Sequence, residues 1–285
     1  MTRLSALVAE ELAVAVDPRV RAVAAAIAAK HGGASRAVLF YGSCLREREL
    51  DGLMLDFYLI VSNYRAAYGK RWLAIANRLI PPNVFYLEHG GLAAKYAVLS
   101  ETDFHRLNGP ETNSVSVWAR FAQPSRLAWA ADEAAREGVV AAVARAAPTL
   151  LASAGKRADE KPLDWWRRAF SLTYSAELRA ERPGRQASIV DADRGRYTRF
   201  TAPAEAAIER ARQTSWRWRR IEGKALSVLR LAKASATFAG GADYIAWKIN
   251  RHARTQIVLK PWQQRHPLLA AVSLLPRLLR SGAVR

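Results

Sequence analysis

Apolar and polar positions along the chain change rhythm several times, and each change predicts an element. Leu4, Leu7, Val8 and Leu12 recur at steps of three and four, one face of a helix. Asp17-Pro18 reads as an N-cap followed by proline at the first helical position. It opens a helix to about residue 29, whose Val20, Val23 and Ile27 form a stripe that packs on a sheet. Residues 37–42 (AVLFYG) and 53–61 (LMLDFYLIV) are short, β-branched and aromatic, and predict neighbouring strands. A helical pattern over 64–79 stops at Pro81-Pro82. Residues 83–88 and 93–100 predict two more strands around a hairpin turn at His89-Gly90-Gly91. Ser100 and Asp103 have the spacing of a capping box.

The texture changes after about Val117. Residues 132–147 and 161–180 are helical in pattern, residues 182–200 (RPGRQASIVDADRGRYTRF) form a polar, Arg-rich turn, and residues 204–238 turn helical again. No repeat or low-complexity linker separates these parts. The expected fold class is α+β. A mixed sheet flanked by helices is expected over residues 1–120, a mostly helical domain over 121–205, and a basic helical C-terminal region over 206–285.

Charge sharpens the picture. The chain carries a formal net charge of +19, which calls for an anionic partner: nucleic acid, acidic lipid or nucleotide phosphate. The excess is concentrated. Residues 211–285 hold 15 Lys and Arg against two acids, Glu222 and Asp243, so 13 of the 19 charges lie there. One cysteine, Cys44, rules out an internal disulfide framework and a cysteine-rich metal site. His31, His89, His105, His252 and His266 show no metal-ligand spacing. Charged residues interrupt the Ala-rich N-terminal stretch, so no secretory signal is expected. No uncharged apolar run reaches the roughly 18–20 residues a membrane span needs.

The chemistry centres on residues 40–61, FYGSCLRERELDGLMLDFYLIV. A Gly42-Ser43 turn is followed by Asp56, a carboxylate inside an apolar strand. An ionised carboxylate there is costly unless it pairs with a cation, binds a metal or takes up a proton. A small turn after a strand offers backbone N–H groups and a hydroxyl to phosphate oxygens, and a carboxylate on the adjoining strand can hold a divalent ion against them. The nucleotidyltransferase superfamily is laid out this way, although it usually alternates two acids on the strand. Here Met54 and Tyr58 flank Asp56 at those positions, and Asp51 has the wrong parity.

Five blocks in one order carry a closer resemblance, covering about residues 37–255. FYGSCLRERE, LMLDFYLIV, AAKYAVLSETDF, WARFAQPSRLAW and FSLTYSAELRAE resemble successive motifs of the mitochondrial-type phosphatidate cytidylyltransferases, the translocator assembly and maintenance family. That family also has a single aspartate on the strand. The chain departs from its pattern at Cys44 and Ala97, where glycine is usual, and at Ala176-Glu177, which replaces Gly-Asp.

The resemblance implies Mg2+ held by Asp56 and Glu177, with Asp56, Glu177 and Ser43 catalytic. Tyr41, Gly42, Ser43, Arg46, Lys95, Tyr174 and Arg179 would contact substrate. Asp56 could instead be a salt-bridged strand residue, and Glu177 a helix-surface charge. Lys95, mid-strand, reaches either a phosphate or Asp56 itself. Arg48 and Arg120 read as surface charges, and Cys44 as packing. The implied reaction joins CTP and phosphatidate into CDP-diacylglycerol and pyrophosphate. The basic, Trp- and Leu-bearing C-terminus would dock on an anionic membrane surface, with nucleic acid the less favoured partner. The expected location is the inner face of the cell membrane, or the matrix side in a eukaryote. The alternatives are a nucleotidyltransferase acting on RNA or protein, and a non-catalytic lipid- or RNA-binding protein.

Overall fold

A computed structural model describes residues 2–47, 49–176, 189–208 and 215–237 of the chain. Five strands form one mixed sheet in the order β3-β4-β2-β1-β5. They are β1 (Ser35–Tyr41), β2 (Met54–Val61), β3 (Asn83–His89), β4 (Leu92–Ser100) and β5 (Ser125–Ala130). Only the central β2–β4 pair is parallel; β1–β2, β1–β5 and β3–β4 are antiparallel. The β3–β4 hairpin closes through Gly90-Gly91, as the pattern predicts. β5 lies in the segment that the sequence gives to the helical part, and its pairing with β1 carries the sheet past residue 120.

Strand alternation sorts the sheet's side chains onto two faces. Val38, Phe40, Leu55, Phe57, Leu59, Val61 and Val98 face one way, and α2 (Pro18–Ala29) lays Val20, Val23, Ala24 and Ile27 against them. Leu39, Tyr58, Ile60, Ala97 and Leu99 face the other way into a larger core. That core takes Leu4, Val8 and Leu12 from α1 (Arg3–Ala13), and Phe104 and Leu107 from α5 (Glu101–Asn108). It also includes Trp118 and Phe121 of α6 (Trp118–Phe121). The caps form where the sequence places them: Asp17 Oδ1 accepts from the Arg19 amide at 2.7 Å, and Ser100 Oγ from the Asp103 amide at 3.1 Å.

The expected helix over 64–79 is divided into α3 (Tyr64–Ala67) and α4 (Arg71–Leu79), because Tyr68-Gly69-Lys70 leaves helical backbone. The later helices are α7 (Glu133–Ala144), α8 (Ala146–Ala154), α9 (Pro162–Ala176), α10 (Arg194–Ala206) and α11 (Trp216–Thr237). α10 corrects the expectation of a polar turn through residue 200. Its Arg196, Tyr197 and Phe200 are all buried, so the arginine that made this stretch look like a loop is a core residue. The Arg196 guanidinium binds both Glu11 carboxylate oxygens, donates to the Ala122 carbonyl at 3.0 Å and sits 4.3 Å from the Phe200 ring centroid.

α11 crosses α9 where a Cβ on Gly223 would lie 2.1 Å from the Ala176 carbonyl oxygen. Only glycine allows that approach. Further along, Arg230 Nε donates to the Pro81 carbonyl at 2.8 Å, and Lys233 Nζ bonds the Ile80 carbonyl. Among the described residues, no helix is long and apolar enough to cross a membrane.

Removing one partner of a buried pair strands the other charge. Glu11→Ala should therefore cost about 3–5 kcal/mol in denaturant unfolding. The double variant Glu11→Leu/Arg196→Met should recover most of that loss, which a double-mutant cycle on the unfolding midpoints would read directly.

Candidate functional site

The strand registers assemble one continuous row across all five strands. Ser125 pairs with Tyr41, Tyr41 with Asp56, Asp56 with Lys95, and Lys95 with Tyr86. By alternation the row shares the face of Leu39, Tyr58 and Ala97. It lies just beyond them, at the edge where β1 ends and β2 and β4 begin. The apolar core stops here and polar side chains take over. Asp56 is thus not mid-core: it is the first polar position past Tyr58 and half-buried, at 23% side-chain exposure.

β1 leaves the sheet directly into Gly42, which adopts φ 94°, a region that penalises any residue with a Cβ. A Cβ built there would lie 3.4 Å from Asp56 Oδ2. The turn backbone therefore passes against the carboxylate, and Ser43–Arg46 follow as a short 3-10 turn. Beneath the turn, Cys44 is buried, with its Sγ 3.6 Å from the Met54 carbonyl. Burial pushes the Cys44 thiol pKa up. The Asp56 charge adds to the shift, while the Ser43 hydroxyl and Lys95 oppose it. The thiol stays protonated and packs, as the sequence implies.

Lys95 is the cation that stands beside the carboxylate, its Nζ 3.0 Å from Asp56 Oδ1. That oxygen nevertheless accepts no well-directed hydrogen bond, although it is fully shielded from solvent. The contact is a charge pair whose alignment leaves hydrogen-bonding capacity unused. The structure thus realises one of the two roles open to Lys95, as partner of Asp56. Asp51 lies outside β2 and pairs with Arg19 at 3.2 Å.

Tyr41 is half-buried, with its ring centroid 5.2 Å from Tyr58 and 6.0 Å from Phe121. Burial first, then the Asp56 charge, push its phenol well above the ordinary tyrosine range, with Arg120 opposing. The group remains a neutral O–H donor at physiological pH. Arg120 thereby departs from the surface-charge reading. It is half-buried, bonds the Ser116 carbonyl and lies within electrostatic reach of Tyr41.

Ser125 is a residue that the sequence does not single out. It is completely buried, and its Oγ has no hydrogen-bond partner. Its only signal was position: strand pairing, invisible without β5, places it beside Tyr41.

The other proposed residues sit elsewhere or beyond view. Tyr174 is half-buried on α9 and packs against the larger core, two residues before the Gly223 crossing. Glu177, Arg179 and Arg48 lie outside the described residues, as does the side chain of Arg46.

Among the described residues, no group of three His, Cys, Asp or Glu could hold a metal ion. One carboxylate and one hydroxyl still fit Mg2+, which binds through one or two carboxylates and takes its remaining ligands from phosphates and water. They do not fit a dedicated all-protein metal cage. Chemically, the corner joins an anion that can share a cation, a lysine, a neutral phenol and a turn that permits close backbone approach. No known protein family model matches the chain, and no characterised protein matches it.

Asp56 and Lys95 are each about a quarter exposed, so their coupling should be modest. Lys95→Met should cost about 1–2 kcal/mol in unfolding stability, with Asp56→Asn/Lys95→Met less than additive. Full additivity in a double-mutant cycle would show that the pair does not stabilise the fold.

Proposed function

We propose that the protein is a nucleotidyltransferase, and that its reaction is CTP plus phosphatidate giving CDP-diacylglycerol and pyrophosphate. The observation that carries the reading is that the Gly42 turn leaves β1 beside Asp56, so that a Cβ on Gly42 would already touch the carboxylate. A turn suited to phosphate and an acid able to share a cation with it meet at a single corner. The choice of lipid acceptor rests on the five ordered sequence blocks.

In this mechanism the phosphatidate oxygen attacks the α-phosphorus of CTP. One P–O bond forms as the bond to the β-phosphate breaks, and pyrophosphate leaves in line. The attacking phosphate is already ionised at neutral pH, so no strong general base is needed. Positioning and charge neutralisation carry the rate. Gly42 lets the turn backbone approach the phosphates, and the Ser43 hydroxyl donates to them. Lys95 offsets the negative charge gathered beside Asp56. Tyr41 holds its proton and can donate from beneath the corner. Asp56 is the described residue that would hold Mg2+, with Glu177 as the proposed second ligand. When bound, the ion supplies neutralisation of phosphate charge. The acceptor's location implies a protein peripheral to the inner face of the cell membrane.

A second reading has one observation in its favour. The 3.0 Å Lys95–Asp56 contact is what a structural ion pair in a non-catalytic binding protein would show. An assay with radiolabelled CTP, phosphatidate and Mg2+ separates the two. Asp56→Ala should lower turnover at least about a hundredfold, whereas Lys95→Met should retain more. Unchanged turnover in Asp56→Ala would refute the assignment. Label transferred to RNA or protein, with phosphatidate left unused, would retain the corner's chemistry and replace its acceptor.

A further inference from the structure

Two helices far apart in the sequence turn the same pattern outward. On α4, Trp72, Ile75 and Leu79 recur at steps of three and four and are 47%, 59% and 72% exposed. The same helix buries Ala74 and Asn77 on its opposite side. On α11, Trp218, Ile221, Val228 and Leu229 are 65%, 54%, 46% and 47% exposed, while Gly223 and Arg219 face inward. Both helices begin the stripe with Arg-Trp-x-x-Ile: Arg71-Trp72 to Ile75, and Arg217-Trp218 to Ile221. Helical spacing puts exposed basic residues along the same flank of each stripe, Arg71 and Arg78 on α4, and Arg217, Arg220 and Lys224 on α11.

Exposed apolar side chains are ordinary when scattered. Two matched stripes on adjoining elements are not scattered. Arg230 and Lys233 of α11 bind the carbonyls of Pro81 and Ile80, which directly follow Leu79 at the end of α4. Charge identifies the occupant. Residues 62–82 contain four Lys and Arg and no acid, and the exposed charges of α11 are Arg217, Arg220 and Lys224, with its one acid, Glu222, half-buried. A protein partner of mixed charge would have no use for such one-sided flanks. A bilayer with anionic headgroups uses each component: indole at the interface, aliphatic side chains below it and guanidinium groups on the phosphates.

We propose that α4, through Trp72, Ile75 and Leu79, is a membrane-contact helix that lies with the α11 stripe on an anionic bilayer. The inference deepens the proposed function by naming where its lipid acceptor is met. It extends the contact beyond the C-terminal region into the sheet half of the chain.

The test is flotation of the full chain with phosphatidylglycerol-containing vesicles, beside pure phosphatidylcholine vesicles. The wild type should float with the former, and Trp72→Glu/Ile75→Glu/Leu79→Glu should bind at least about tenfold less. Trp218→Glu/Ile221→Glu should show a similar loss, while melting curves verify that both variants fold. If the α4 variant misfolds, the milder Ile75→Gln/Leu79→Gln should still weaken binding measurably. Wild-type chain that stays unbound, or a folded α4 variant that floats like wild type, would overturn the proposal. So would a solution dimer that the α4 variant dissociates, since a second copy would then cover the stripe. Turnover on soluble short-chain phosphatidate distinguishes this failure from that of the enzymatic reading. The α4 variant should keep that turnover while losing vesicle binding. A wild type that floats but never turns over would retain the surface and discard the reaction.

Discussion

The arrangement depends on where a half-buried carboxylate can be tolerated in a packed sheet. Asp56 occupies the first position beyond the apolar rows of its face, with Lys95 on one neighbouring strand and Tyr41 on the other. One residue later in the same register it would turn to the opposite face, among Leu55 and Phe57. Two residues later it would replace Tyr58 in the core. In neither place could it keep its charge without a large desolvation cost. Strand parity therefore fixes both the carboxylate's survival and its neighbours.

The rest of the corner follows from that placement. Because Tyr41 ends β1 opposite Asp56, the chain leaves the sheet beside the carboxylate, and glycine takes the φ of 94° there without the strain a side chain would bring. In the layer underneath, Phe121 and Tyr58 pack against the Tyr41 ring, and the α1–α10 pairing of Glu11 with Arg196 joins the helical layer to the N-terminal helix. The same layering that makes the core leaves an outer helix, α4, with Trp72, Ile75 and Leu79 exposed.

Much of the sheet was legible because its signals are local. Alternation and β-branched runs marked β1 to β4, and Asp17, Pro18 and Ser100 marked helix starts. β5 was not legible, since SRLAWA is short and its pairing with β1 is non-local. Nor was α10, whose arginines and Gly195 argue for a loop until Glu11, at the other end of the chain, pairs with Arg196. In the site, Gly42, Asp56 and Lys95 were legible as an unusual carboxylate, a small turn and a mid-strand lysine. Ser125 and Arg120 were not, because only tertiary pairing brings them to Tyr41. The family resemblance supplied the acceptor and the nucleotide, which no residue of the described corner specifies by itself.

The central claim is that the Asp56 carboxylate exists to hold nucleotide phosphate through a shared cation, and that its contact with Lys95 serves that end. Calorimetric titration of CTP into the full chain, with and without Mg2+, tests this most directly. The account predicts binding that requires Mg2+ and disappears in Asp56→Asn while the variant remains folded. Equal affinity in the variant, or affinity indifferent to Mg2+, would contradict it.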